Sequence, residues 1–133
     1  HQNKMNRRLV KEHHQRVRSE KYKKMLTQRE RLPAYKLREK ITKTIHEHQV
    51  TVISGATGSG KTTQVPQLVL DHAIERGVGA ECNIICTQPR RISAVGVADR
   101  VADERAERVG NTVGYQIRLE SKRSRNTRLL FCT

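Results

Sequence analysis

A glycine-rich stretch, residues 55–63, carries the residue types that bind phosphate groups. Gly55, Gly60, Lys61 and Thr62 fit the spacing G-x-x-x-x-G-K-[ST]. The glycines permit positive φ and have no Cβ to hold an anion away from the backbone N–H groups. A lysine at this position can reach the β- and γ-phosphates of a nucleotide, and the hydroxyl after it can ligate Mg²⁺. The stretch therefore predicts a phosphate-binding loop.

The flanking residues are typical of a loop between a strand and a helix. Residues 50–54 are a β-branched run, which predicts a strand that leads into the loop. A helix running to about Arg76 is predicted from apolar residues at helical spacing, which are Val65, Leu68, Val69 and Ile74. Its N-terminus would point unpaired N–H groups and a favourable dipole at the bound phosphate. A glycine-rich hairpin is disfavoured because no partner strand follows Thr63. A dinucleotide fingerprint starting at Gly58 would require a glycine where Thr63 stands.

The predicted ligand is a nucleotide, with ATP as the default, bound together with Mg²⁺. The loop residues expected to contact it are Gly55, Ala56, Thr57, Gly58, Ser59, Gly60, Lys61, Thr62 and Thr63. Lys61 and Thr62 are the candidate catalytic residues, and Thr62 is the candidate Mg²⁺ ligand through the nucleotide.

Composition adds a second expectation. A net charge of +14 over 133 residues favours a polyanionic partner, either nucleic acid or an acidic membrane surface. No apolar run approaches the ~20 residues of a membrane span, and the N-terminus lacks the apolar core of a secretory signal peptide. An intracellular protein of the cytoplasm or nucleus, without a membrane partner, is therefore expected. An odd count of three cysteines, Cys82, Cys86 and Cys132, favours reduced thiols.

The N-terminal residues 1–31 are densely charged and contain no glycine or proline. They predict one or two exposed helices whose apolar stripe is too thin for an independent core. Two interpretations remain open, a solvated linker helix and a basic arm lying on phosphates. Pro33 marks the start of a further helix, with Leu37, Ile41 and Ile45 on its apolar side.

The remaining residues alternate between strand and helix patterns. Strands are predicted at residues 82–88, 112–117 and 128–132. A helix that ends at Gly110 is predicted from the spacing of Ile92, Val95, Ala98, Ala102, Ala106 and Val109. This alternation is the signature of an α/β fold with a mostly parallel sheet and flanking helices.

Several segments resemble the ATP-dependent RNA helicases of the DEAH/RHA group. The strongest are residues 55–67 and the stretch Thr-Gln-Pro-Arg-Arg-Ile-Ser-Ala at 87–94. The resemblance also includes the segments 32–35, 100–104, 113–121 and 130–133. It implies an incomplete RecA-like P-loop NTPase domain at residues 32–133, truncated before an Asp-Glu-x-His motif and preceded by a basic helical extension at 1–31.

The resemblance also implies roles for four residues outside the loop. Arg90 and Arg91 of motif Ia, and Thr133 at the opening of motif Ib, would contact the RNA backbone, while Arg100 would stack on the adenine base. The chemistry agrees for the arginines, because a Pro-Arg-Arg turn at the carboxyl end of a strand can present guanidiniums to phosphates. The alternative is that Arg90 or Arg91 pairs with an acid of the same domain.

The expected function is the ATP-binding part of an RNA helicase that couples ATP hydrolysis to RNA binding and unwinding or remodelling. Hydrolysis would also need an Asp-Glu pair after a buried strand and arginine fingers from a second RecA-like domain. Asp103 and Glu104 lie in a polar helical segment and are not interpreted as that pair. Ala56 stands where many members carry an acid. The chain begins at His1 and ends within a motif, so we expect an inactive fragment of an active enzyme.

Two other functions stay open. One is a non-catalytic basic module that binds nucleic acid or the ribosome and whose loop only binds nucleotide. The other, a P-loop kinase or transport ATPase, is disfavoured by the Thr-Gln-Pro-Arg-Arg segment and the positive charge. The expected partners are RNA, a ribosome or ribonucleoprotein, and the rest of a helicase chain.

Overall fold

Six α-helices, one short 3-10 helix at Gly79–Glu81 and four strands form the chain in the computed structural model, which describes residues 1–133. The α-helices are α1 Gln2–Val17, α2 Glu20–Arg29, α3 Pro33–Lys36, α4 Arg38–Glu47, α5 Lys61–Glu75 and α6 Arg91–Glu104. The strands are β1 Ile84–Thr87, β2 Val113–Ile117, β3 Glu120–Lys122 and β4 Leu129–Cys132. The α/β class expected from the alternating patterns is confirmed.

The four strands form one sheet in the order β1-β4-β2-β3. β4 is parallel to both of its neighbours, with Leu129 opposite Ile84 on β1 and opposite Val113 on β2. Only β3 is antiparallel, paired with β2. The sheet is therefore mostly parallel, as predicted, and three of its strands lie within the predicted segments.

One face of the sheet is covered by α5 and α6. The core between them contains thirteen buried residues, among them Leu70, Ile74, Val101, Val113 and Phe131. Side chains alternate along β4, where Leu129 and Phe131 are fully buried. This packing fixes the N-termini of α5 and α6, which is where the candidate functional residues begin.

The strand predicted at residues 50–54 is absent from the sheet, so this prediction is wrong. Val50 is 81% exposed and Val52 88% exposed. No backbone hydrogen bond joins residues 50–54 to another part of the main chain. β-branched residues favour an extended backbone, but a strand also requires a neighbour to pair with its N–H and C=O groups. In this structure the segment has no such neighbour.

Strand β3 has no signal in the sequence because the turn before it lacks the usual residues. Two-residue hairpin turns favour Gly, Asn or Asp, whereas this one contains Arg118 and Leu119. Leu119 takes φ of 66° and is 96% exposed. Gly114 allows the hairpin to close, since a Cβ there would lie 2.4 Å from the Lys122 carbonyl oxygen.

The N-terminal residues form two helices, as predicted, but the interpretation as a solvated linker is wrong for one face of them. Leu9 is fully buried in the main core, and Tyr22 and Met25 are also buried. Asn6 is buried too, and its side-chain oxygen accepts a hydrogen bond from the Ala80 N–H at 2.7 Å. A count of apolar residues misses this packing, since part of the buried face is polar. The proposed domain boundary at residue 32 stays a prediction.

Two helix predictions had wrong limits. The helix starting at Pro33 is interrupted at Leu37, which is 55% exposed, so α3 and α4 are separate helices. The helix after Arg91 ends at Glu104 and not at Gly110, and Ala106 then takes φ of 55°. No helix of the chain has the length and apolar character required to cross a membrane.

Candidate nucleotide and nucleic-acid sites

The predicted phosphate-binding loop leads directly into the N-terminus of α5. Gly60 precedes the first helical residue and takes φ of 90°, and Gly58 takes φ of 85°. These left-handed conformations explain why glycine occupies both positions. The loop is braced from α3, because the Ala34 N–H donates to the Ser59 carbonyl oxygen at 3.0 Å. The first N–H groups of α5 are thereby presented at one end of the loop.

Lys61, the first residue of α5, folds its side chain back over the loop. Its ammonium donates to the carbonyl oxygens of Gly55 and, at 3.3 Å, of Ala56. The charge therefore lies where the loop would enclose an anion. Thr62 is exposed at the same cleft, which leaves its hydroxyl accessible to a cation. Thr63 instead turns inward, since its hydroxyl contacts the Gly60 carbonyl at 3.4 Å and accepts from Gln64 at 3.0 Å.

The loop forms one side of a cleft of about 520 Å³. Arg100 of α6 lies on the cleft wall although it is distant in sequence, so the structure brings it to the predicted loop. The other lining residues are Leu32, Ala56, Thr57, Gly58, Ser59, Gly60, Lys61, Thr62, Thr63 and Glu104. The predicted phosphate contacts and the predicted base contact therefore face one cavity, with Gly55 held against Lys61 just behind it.

A buried carboxylate in the wall of this cleft was missed from the sequence. Glu104 is 1% exposed and accepts hydrogen bonds from Gln64 at 2.9 Å and Gln67 at 2.8 Å, both on α5. It also pairs with Arg100 at 2.9 Å. The only sequence signal was the i,i+4 spacing of Arg100 and Glu104 on a helix, which is too common to indicate a site. The neighbouring Asp103 is more exposed and pairs with Lys21 of α2 at 2.7 Å.

The other predicted contacts lie at the carboxyl edge of the parallel strands. The Gln88 N–H, just after β1, donates to the Cys132 carbonyl at 2.7 Å, so Thr133 and the turn to Arg90 lie at the same edge. Arg90 and Arg91 begin α6, and both are exposed. They line an open cleft of about 830 Å³.

Neither Arg90 nor Arg91 pairs with an acid. The ion pairs of the chain use other arginines, which are Arg8, Arg16, Arg29, Arg100 and Arg105. Arg91 makes one long hydrogen bond, from its guanidinium to the Arg118 carbonyl at 3.5 Å. The alternative that these two arginines serve an internal ion pair is therefore not supported, and both guanidiniums are accessible to an external anion.

A second buried polar cluster joins α1 to α5 and to the end of α6. His13, only 4% exposed, has its Nδ1 3.8 Å from Asp71 and its Nε2 3.6 Å from Glu75. Burial lowers the pKa of His13, Asp71 opposes this effect, and the positive charges of Arg105 and Arg16 add to it. His13 is therefore held in its neutral form more strongly than a free histidine.

This cluster predicts a loss of stability in mild acid. The unfolded chain takes up a proton at His13 near pH 6.5, whereas the folded chain takes it up only at lower pH. Between these two pH ranges the unfolded state binds more protons than the folded state, so the stability of the fold decreases as pH decreases. We expect the melting temperature to drop between pH ~7.5 and ~5.5. The drop should be smaller in His13→Gln. The exposed neighbour offers a control, and an equal change in His14→Gln would contradict the prediction.

The comparisons with known proteins give a consistent result. No protein-family model matches the chain. The chain is 61% identical over 105 residues to the DExH-box ATP-dependent RNA helicase DExH1 of Arabidopsis thaliana, covering 79% of the chain and 11% of that protein. It is 58% identical over 110 residues to DExH3, another DExH-box ATP-dependent RNA helicase of the same plant, covering 83% of the chain and 9% of the relative.

A mammalian relative agrees. The ATP-dependent DNA/RNA helicase DHX36 of Rattus norvegicus is 55% identical to the chain over 116 residues, which is 85% of the chain and 12% of that protein. The chain thus spans about a tenth of the length of the curated relatives it matches. By this similarity over most of its length, the chain belongs to the DExH-box ATP-dependent RNA helicases, of which it represents one segment.

Proposed function

We propose that this chain is the ATP-binding part of a RecA-like domain in an intracellular RNA helicase. The observation that carries the proposal is the single cleft shared by the glycine-rich loop, the N-terminus of α5 and Arg100. The phosphates of ATP would lie against the loop and Lys61, and the base would lie toward Arg100. The names of the relatives support ATP as the nucleotide.

The loop residues fit a magnesium-bound nucleotide. The Lys61 ammonium lies over the loop, where it donates hydrogen bonds to main-chain carbonyl oxygens. A phosphate oxygen could replace these acceptors and form a stronger hydrogen bond, because both partners would then be charged. The Thr62 hydroxyl is accessible at the start of α5 and would hold Mg²⁺. Mg²⁺ would supply neutralisation of the charge that develops on the transferred phosphoryl group. Lys61 stabilises the same charge from the protein side.

The RNA would bind at the carboxyl edge of the parallel strands. Arg90 and Arg91 are exposed there without acidic partners, and Thr133 follows β4 at the same edge. Such side chains bind the phosphate backbone without reading base sequence. In the complete helicase, a second RecA-like domain and an Asp-Glu pair would complete hydrolysis, and ribonucleoprotein partners would be further ligands.

A second candidate function is a non-catalytic, basic RNA-binding module that uses nucleotide only as a structural ligand. The net charge of +14 and the unpaired arginines favour RNA binding without requiring hydrolysis. This candidate predicts that the full-length protein binds ATP and RNA but does not hydrolyse ATP.

Measuring ATPase activity of the full-length protein against added RNA separates these functions. The helicase proposal predicts hydrolysis that rises with RNA concentration, whereas the module predicts none. Rates indifferent to RNA would favour an unrelated P-loop ATPase.

The same protein tests the RNA edge. We expect Arg90→Ala/Arg91→Ala to weaken RNA binding and to reduce the salt dependence of log K by about 0.7 for each lost phosphate contact. Lys40→Ala/Lys43→Ala on α4 removes the same charge elsewhere. An equal loss in both double variants would argue against a defined RNA edge.

A further inference from the structure

The buried carboxylate Glu104 joins three helices at the wall of the nucleotide cleft. Its Oε1 accepts from the side-chain amides of Gln64 and Gln67 on α5, at 2.9 Å and 2.8 Å. Its Oε2 lies 2.9 Å from the Arg100 Nε on its own helix. From α2, the Arg29 Nε lies 3.6 Å from Oε1. A carboxylate this buried is costly unless it is paired and hydrogen-bonded, and here both oxygens have partners.

Arg100 is held from two sides. Glu104 fixes its Nε, and the Gln28 side chain of α2 accepts from its Nη2 at 3.3 Å. The Arg100 side chain is nevertheless 47% exposed and lines the cleft. A guanidinium fixed at its edges and open on its face can stack on a planar base, whereas a freely rotating one must first lose side-chain entropy.

Helix α2 contributes Gln28 and also Arg29, a positive charge beside the Glu104 carboxylate. Arg29 is 1% exposed, and its Nε donates to the Gln64 side chain at 2.8 Å. Its guanidinium lies 5.3 Å from the centre of the Tyr35 ring. Gln64 is in the first turn of α5, three residues after Lys61. One polar network therefore connects α2 and Arg100 to the start of the phosphate-binding helix.

We propose that Glu104 is a positioning residue for the nucleotide base, and that helix α2 is part of the nucleotide site. Glu104 holds the Arg100 guanidinium in its stacking orientation, Arg29 balances the buried charge, and Gln28 accepts a second hydrogen bond from Arg100. This inference rests on the proposed function, because it requires a nucleotide in the cleft. It assigns the N-terminal basic helices a role in ATP affinity besides any contact with RNA.

The test compares a nucleotide with a ligand that has phosphate groups but no nucleoside. Binding of MgADP and of magnesium tripolyphosphate is measured with the full-length protein. We expect Arg100→Ala to weaken MgADP binding roughly 3- to 30-fold, the range of a guanidinium–ring contact, and to leave tripolyphosphate binding unchanged. Glu104→Gln should act in the same direction. Gln28→Ala should weaken MgADP binding about 2- to 5-fold, as expected for one lost hydrogen bond.

A matched control is available on the same pair of helices. Lys21 of α2 pairs with Asp103 of α6 at 2.7 Å but does not contact Arg100, so Lys21→Ala should change neither affinity. The Glu104→Gln effect should also vanish in an Arg100→Ala background, because the two residues would act through one contact.

Three results would overturn the inference. They are an unchanged MgADP affinity in Glu104→Gln, an equal loss of both ligands in that variant, or an additive effect with Arg100→Ala. Should Glu104→Gln fail to fold, Gln28→Ala decides, since Gln28 is exposed and its loss leaves the core intact. Failure of the proposed nucleotide site looks different, because the unmodified protein would then bind neither ligand.

Discussion

Replacing Lys61 with alanine is expected to remove ATP-dependent activity. Lys61 is the charged side chain that folds over the glycine-rich loop, and it is exposed enough to meet a ligand. A hydrogen bond to a charged group contributes about 1.5–3 kcal/mol, so we expect MgATP affinity to fall roughly 10- to 150-fold. Hydrolysis should fall further, by a factor on the order of 10²–10³ at saturating ATP, because negative charge builds up in the transition state.

The measurement is RNA-stimulated ATPase of the full-length protein, with MgATP binding measured separately. Lys43→Ala removes a lysine from the exposed side of α4, where Lys43 pairs only with Glu47 at 3.9 Å, and should leave both quantities unchanged. Lys61→Arg is not expected to restore activity, since a planar guanidinium does not replace a compact ammonium in a tight loop. RNA-stimulated hydrolysis that survives Lys61→Ala would refute the assignment of the loop.

The helix after the loop and three strands of the sheet were predictable because their signals are local. The helix that became α5 begins at a glycine in the left-handed conformation and is followed by Gly77, and both limits can be inferred from residue type. Strands β1 and β4 were predicted from short apolar runs, and β2 was predicted from the alternation of residues 112–117. These predictions need no knowledge of what packs against the element.

The failures concern features that depend on distant parts of the chain. Residues 50–54 have strong strand propensity, but no strand of the sheet pairs with them. The C-terminal end of α6 was predicted too late in the chain, because Ala106 and Val109 continue the apolar spacing after the helix has ended. Periodicity records which side chains are apolar and not where the backbone stops being helical.

Buried polar residues were the largest omission at the candidate site. Arg29 and Glu104 are each 1% exposed, yet charged residues in helices are normally assigned to solvent. Their burial depends on partners from other helices, such as Gln64 on α5. The sequence thus predicted the loop and, through a family resemblance, Arg100, but not the network that connects them.

The second large effect is expected at Arg105, which belongs to the second buried polar cluster. Arg105 is 1% exposed, and its guanidinium lies 2.7 Å from Asp71 and 3.6 Å from Glu107. Burial by itself would lower the pKa of Arg105, but the two carboxylates raise it above the usual value. Arg16 also reaches Glu107, at 3.4 Å. Arg105 is therefore the shared cation between α5 and the segment after α6.

Arg105→Met should destabilise the fold strongly, because it removes the buried guanidinium that pairs with the Asp71 and Glu107 carboxylates, whose side chains are 14% and 2% exposed. Removing one partner of a buried pair costs about 3–5 kcal/mol, against a total stability of about 5–15 kcal/mol for a typical domain. Thermal unfolding should shift down by roughly 10–20 °C. Arg108→Met is the matched control, since Arg108 is an exposed arginine three residues away. Similar shifts in both variants would contradict the importance of the pair.

A second substitution shows whether the unpaired charge causes the loss. In the Arg105→Met background, Asp71→Asn removes the orphaned carboxylate and should recover part of the stability, although Asp71→Asn alone should be destabilising. Such a change of sign requires direct coupling between the two residues, as their 2.7 Å contact implies. Additive losses would instead mean that each side chain contributes through packing, and that the cluster holds α5 against the end of α6 by shape and not by charge.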